Sequence, residues 1–138
     1  MIDLESLRDY CLKKKGEITE AFPFDEEVLV FKVSNKIFLL TNVNAVPLTV
    51  NLKCDPERAI EWRERHEDVQ PGFHMHKKYW NTVDLSGSLS ERFVYEMIDH
   101  SYDEVVKKLP KNAGKRKVNK KVTNAKPKRK FIVRKKPK

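Results

Sequence analysis

Residues 110–138, the last fifth of this 138-residue chain, carry 14 lysines and arginines and no acidic residue. From Asn112 onward only five large apolar side chains occur (Val118, Val122, Phe131, Ile132 and Val133), with no helical or strand period. Such a segment cannot bury enough apolar area to offset the entropy of ordering it, so disorder in the free protein is expected. Any core must come from the first 111 residues, enough for one domain and short of two. That portion has the opposite balance. Residues 1–109 hold 15 Lys and Arg against 20 Asp and Glu, a net of −5, so the overall +9 resides in the tail. The chain reads as a domain over 1–111 followed by a Lys/Arg-rich tail over 112–138.

Several classes fall on simple grounds. No run reaches the 18 or so apolar residues of a membrane-spanning helix, so no membrane partner is expected. The N-terminus opens with Asp3 and Glu5, not with cations ahead of an apolar stretch, which argues against a secretory signal. Two cysteines, Cys11 and Cys54, are too few for a disulfide framework and read as reduced thiols, pointing to the cytoplasm.

Local patterns then order the domain. Asp3 caps a first helix carrying Leu4, Leu7 and Cys11, and Lys13–Lys15 with Gly16 end it. Phe22-Pro23-Phe24 blocks further helix. Val28–Val33 and Ile37–Leu40 are strand-like and separated by Ser34-Asn35-Lys36, a hairpin signal with Asn35 able to take positive φ. In Leu48–Lys53, Leu48, Val50 and Leu52 alternate with Thr49, Asn51 and Lys53, so one face meets the core and the other meets water. Asp55-Pro56 opens a second helix running to about His66, with Ala59, Trp62 and His66 on one side. Its carboxylates Glu57, Glu61, Glu64, Glu67 and Asp68 mix with Arg58, Arg63 and Arg65 as an ion-paired solvated face.

After a Pro71-Gly72 turn, His74–Lys77 and Tyr79–Leu85 look like two short strands. Ser88-Leu89-Ser90-Glu91 has the spacing of a capping box and opens a third helix with Leu89, Phe93 and Met97. The same spacing at Ser101–Glu104 suggests a break and restart there, with Pro110 the end. Helix, three strands, helix, two strands, helix fits an α+β two-layer domain with an antiparallel sheet, and not a doubly wound parallel one.

Several segments in this order resemble the MmcQ/YjbR family of small bacterial proteins: Phe22-Pro23-Phe24, Val30-Phe31-Lys32-Val33, Asn51-Leu52-Lys53-Cys54-Asp55-Pro56, Pro71-Gly72 through Val83, and His100-Ser101-Tyr102. The resemblance spans about residues 1–111. It implies a YjbR-like fold akin to secretion-chaperone and frataxin-like domains, and a DNA-binding role in which sheet and hairpin act as a double wing. The basic tail departs from the plain family pattern.

The candidate site residues follow from chemistry. In the tail, Lys115, Arg116 and Lys117, then Lys128, Arg129 and Lys130, then Arg134 put cations within reach of successive phosphates, which needs no fold and reads no bases. In the domain, His74, His76, Lys77, Lys78, Trp80 and Asn81 combine cations, aromatic faces and an amide suited to phosphate contact, stacking and readout. Lys32, Asn51 and Lys53 are their expected neighbours on the wet sheet face. The plainer readings are a solubility tail, a strap lying on the acidic body, and Trp80 packed in the core. The expected partner is nucleic acid, double-stranded DNA above RNA or the ribosome, with a protein partner bound chaperone-fashion as the alternative.

Other chemistries find little support. His74-x-His76 can chelate from one strand face, but no second ligand pair completes a zinc shell. The four glycines are scattered, so no phosphate loop exists, and no Gly-x-Ser-x-Gly elbow occurs. Cys54 precedes a helix N-terminus that would lower its thiol pKa and lend some reactivity, although a small packed thiol explains it equally. Neither an enzyme nor a cofactor or metal is expected.

Overall fold

A computed structural model of the protein describes residues 2–72 and 75–109. The tail expected over 112–138 lies outside these residues. So do His74 and the tail cations Lys115, Arg116, Lys117, Lys128, Arg129, Lys130 and Arg134.

The elements run α1 (Leu4–Leu12), β1 (Ile18–Ala21), β2 (Val28–Val33), β3 (Lys36–Asn42), β4 (Thr49–Lys53), α2 (Pro56–Arg65), β5 (Val69–Pro71), β6 (Trp80–Asp84) and α3 (Glu91–Val106). This is an α+β fold whose six strands form one antiparallel sheet in the order β1-β2-β3-β4-β6-β5.

Short-range chemistry sets most of these elements. The Asp3 carboxylate accepts the Ser6 N–H at 2.8 Å while Ser6 Oγ accepts the Asp3 N–H at 3.1 Å, a reciprocal cap that starts α1. Ser34 and Asn35 sit at φ 48° and 69°, so both central residues of the β2–β3 turn take the left-handed form a two-residue hairpin demands. Asp55 caps α2 through the Arg58 N–H, with Pro56 next at a position where a missing N–H costs nothing. Between Phe31 and Lys32 the β2–β3 register shifts, so Phe38 and Leu39 both enter the core.

The core forms on one side of the sheet. Leu7 and Cys11 of α1, Ala59 and Trp62 of α2, and Val94, Met97, Ile98 and Val105 of α3 join Phe31, Phe38, Leu39, Val50, Leu52 and Val83 in one cluster. Val50 and Leu52 turn to it as their alternation requires.

Four expectations are corrected. β1 is an additional strand, held by pairing with β2 from Ile18↔Val33 to Ala21↔Val30. The strand expected at His74–Lys77 is absent among its described residues, where Met75–Tyr79 form bends and turns; β6 pairs instead with Val69–Pro71. α3 begins at Glu91 with Ser90, not Ser88, as its cap, because the Ser88 N–H and hydroxyl go to the Asp68 carboxylate. It then runs unbroken past Ser101, whose hydroxyl is used by the sheet instead of capping a new helix. The open face is also less wet than alternation suggests. Val30 and Leu40, paired across β2 and β3, are nearly fully buried on it, so Lys32 and the β4–β6 part supply its polar groups. No described helix is long and apolar enough to cross a membrane.

Candidate nucleic-acid interface

The turn from β4 into α2 anchors the site. Three successive amides there are each taken by a distant partner. The Lys53 N–H donates to Ser101 Oγ at 2.9 Å, the Cys54 N–H to the Tyr79 carbonyl at 2.7 Å, and the Asp55 N–H to His100 Nε2 at 3.1 Å. The Lys-Cys-Asp-Pro, Tyr-Trp-Asn and His-Ser-Tyr segments are thereby knotted together at one end of the sheet. Leu52 faces the core, so Lys53 points to the open face, where it lies directly opposite Trp80 across β4 and β6.

Residues 75–80 are held from α2. Arg63 donates through Nε to Asn81 Oδ1 at 2.6 Å and through its terminal nitrogen to the Lys77 and Trp80 carbonyls. Gly72 donates its N–H to the Trp80 carbonyl at 2.8 Å, and a Cβ there would lie 2.8 Å from Trp80 Cβ, so only glycine fits this approach. Above the loop, His76 packs on the Tyr79 ring, and the ammonium groups of Lys78 and Lys108 each stand 5.6 Å from that ring's centroid.

Of the expected residues, Lys32, Asn51, Lys53 and Trp80 share the open face, and Lys78 stands over the Tyr79 ring. Asn51 Oδ1 accepts the Thr82 hydroxyl at 2.5 Å, which orients its amide along that face. Asn81 is a correction: it lies on the core side opposite Leu52, is buried, and is held by Arg63, so it cannot read bases. Lys77 spends its ammonium on the Gly72 carbonyl at 3.0 Å, closing its own loop. His76 is carried by that loop and not by a strand.

Sequence reasoning missed Arg63, Lys36 and Lys108. Burial lowers the pKa of Lys53, and the nearby charges of Lys108 and Lys36 lower it further, against Glu104. These cations therefore converge from the start of β3, the end of β4 and the end of α3. No short-range pattern links segments so far apart.

Both thiols are buried and protonated at neutral pH. Burial pushes both Cys11 and Cys54 up to about 12, and at Cys54 the carboxylates of Asp55 and Glu104 add to it, which reverses the lowered value expected from the helix N-terminus. Among the described residues no three His, Cys, Asp or Glu side chains gather to hold a metal.

His100 supplies a pH-sensitive joint. Burial holds its pKa below the usual 6.5, with Arg58 and Lys107 reinforcing and Glu104 and Asp55 opposing. Its Nε2 can accept the Asp55 N–H only when neutral. Below 6.5 the unfolded chain binds the extra proton more readily, so stability should fall as pH drops from 6.5 through the folded-state value. Thermal melts of His100→Gln should lose part of the wild-type decline between pH 7.5 and 5; identical pH profiles would contradict this.

The fold and its cationic corner define a small α+β domain with one core, a closed helical side and a mixed open sheet face. The chain belongs to the YjbR family: the YjbR family model matches residues 13–104. It is 34% identical over 112 residues to YjbR of Escherichia coli K12, covering 81% of this chain and 94% of that protein. YbdF of Escherichia coli O157:H7 is 36% identical over 96 residues, 69% of this chain and 78% of the relative. Among solved structures, Deinococcus radiodurans protein DR2400, with its DUF419 domain, superposes with a TM-score of 0.78 at 38% identity, covering 83% of this chain and 87% of that one. A Pseudomonas syringae protein shares the fold at a TM-score of 0.65 and 24% identity, over 75% of this chain and 98% of its own.

Proposed function

We propose that this protein binds nucleic acid, double-stranded DNA in the first place, through backbone phosphates and with little regard for base sequence. The observation that carries the reading is the placement of charge. A body of net −5 keeps a cationic corner at Lys36, Lys53, Lys78 and Lys108, and the chain leaves α3 from that corner into a segment of 14 cations and no acids. Counterion release on a phosphate polymer rewards that arrangement; a neutral ligand would not. On this reading the domain has the two-layer architecture of secretion-chaperone and frataxin-like folds, works in the cytoplasm and carries out no catalysis.

The test compares the full chain on a B-form duplex, an A-form duplex and a single strand of equal length at one salt concentration. The B-form duplex should bind tightest, and two B-form duplexes of unrelated sequence should bind within about threefold. A-form or single-strand preference would move the assignment to RNA, and no binding at all would end it.

A second reading has one observation in its favour. Phe22 and Phe24, exposed just beyond β1, suit a protein ligand bound chaperone-fashion. A stoichiometric protein retained by the full chain from nuclease-treated lysate would favour it.

A further inference from the structure

We propose that Lys36, Lys53, Lys78 and Lys108 form a phosphate-docking site on the folded domain itself, built for the backbone of a nucleic-acid duplex. This rests on the nucleic-acid reading and adds where on the domain the duplex sits.

Three observations support the site. First, four separate stretches of chain deliver its lysines: the start of β3, the end of β4, the turn before β6 and the end of α3. Secondly, these lysines lack the carboxylate partners that three others in the domain have. Lys13 pairs with Asp9 at 2.9 Å, Lys14 pairs with Asp99, and Lys107 pairs with Glu104 at 2.7 Å. Among the described residues, no carboxylate ion pair engages Lys36, Lys53, Lys78 or Lys108. Instead the Tyr79 ring positions two of the ammonium groups, which orients them without cancelling their charge. Thirdly, their mutual repulsion is only partly relieved internally: Lys53 is partly buried beside Lys108 and Lys36, opposed by Glu104. A phosphate placed among them relieves that repulsion and receives hydrogen bonds from strong donors.

The ligand is a polymer and not a lone anion because of what is attached. Lys108 lies one residue before Leu109, after which the chain continues into the basic segment. A duplex crossing the corner presents further phosphates to those cations, whereas a single phosphate leaves them unused.

The experiment measures duplex affinity of the full chain against salt, for wild type, for Lys53→Gln with Lys108→Gln, and for Arg65→Gln with Arg92→Gln. The last variant removes the same charge at the far ends of α2 and α3 and controls for net charge. The lysine variant should bind roughly 10- to 100-fold more weakly near 0.1 M salt, with a salt slope shallower by about 2, since each lost phosphate contact removes about 0.9 from the slope. The arginine variant should stay within about threefold of wild type, and both should keep their thermal midpoints. If wild type binds no duplex, the functional reading falls. If wild type binds and the two variants behave alike, this site alone falls. Full displacement of the duplex by inorganic pyrophosphate at equal phosphate concentration would overturn the duplex as its ligand in favour of a free phosphate.

Discussion

Replacing Phe38 with alanine should cost about 3–5 kcal/mol, the range for deleting a buried phenylalanine whose neighbours cannot close the gap. Phe38 is fully buried, tilts against Phe31 at 6.5 Å and meets Tyr102 of α3 edge-on at 5.6 Å. It occupies the place where the β2–β3 register shifts, so the backbone that carries it is already committed and cannot slide another side chain inward. For a domain of this size the expected loss is roughly 15–30 °C in thermal midpoint. A loss under about 1 kcal/mol would mean that the bulge does not deliver Phe38 to the core.

Ser101→Ala should cost about 2–4 kcal/mol, a large effect for removing one oxygen. The Ser101 hydroxyl is fully buried, donates to the Phe38 carbonyl at 2.5 Å and accepts the Lys53 N–H at 2.9 Å. β3 and β4 pair at Leu39↔Leu52 and Leu40↔Asn51; the next step would join Phe38 to Lys53, and the serine stands in for that rung. Alanine leaves a carbonyl and an amide buried without partners, each costing about 1–3 kcal/mol. Chemical denaturation of the variant checks the figure, and a cost below about 0.5 kcal/mol would refute the bridging role. Because Phe38 and Ser101 join the same helix to the same strand, the double variant should lose less than the two single losses added together.

The legible parts of the fold were those written in adjacent residues. Ser34-Asn35 between two β-branched runs set the hairpin, Asp55-Pro56 set the start of α2, and the alternation of Leu48–Lys53 set which face of β4 is buried. The parts that escaped depend on partners elsewhere. Ile18–Ala21 is a strand because β2 offers it a ladder, and Val69–Pro71 is a three-residue edge strand ending in proline. His74–Lys77 alternates like a strand, yet among the described residues Arg63 and Gly72 hold Met75–Tyr79 in turns. Ser101 has the spacing of a cap, but tertiary contact claimed its hydroxyl first.

The candidate site was half legible for the same reason. Lys53 could be placed on the open face by strand period alone, and Trp80 and Lys78 were singled out by their setting among cations and aromatic rings. Asn81 could not, since only the structure shows that Arg63 reaches it from α2. Lys36 and Lys108 look like ordinary surface lysines until the fold gathers them around Lys53 and Tyr79. The family motifs prove to be architectural at this corner: Cys54, Asp55, His100 and Ser101 build it, and the lysines around them give it charge.

The most direct test of the account is a salt titration of duplex DNA binding by the full chain beside a chain ending at Lys111. If the tail and corner together neutralise about 6–10 phosphates, full-length affinity should fall by roughly 10³–10⁵ between 50 and 200 mM salt, while the shortened chain binds far more weakly and with a much shallower slope. Equal affinities and equal slopes for the two chains would contradict it.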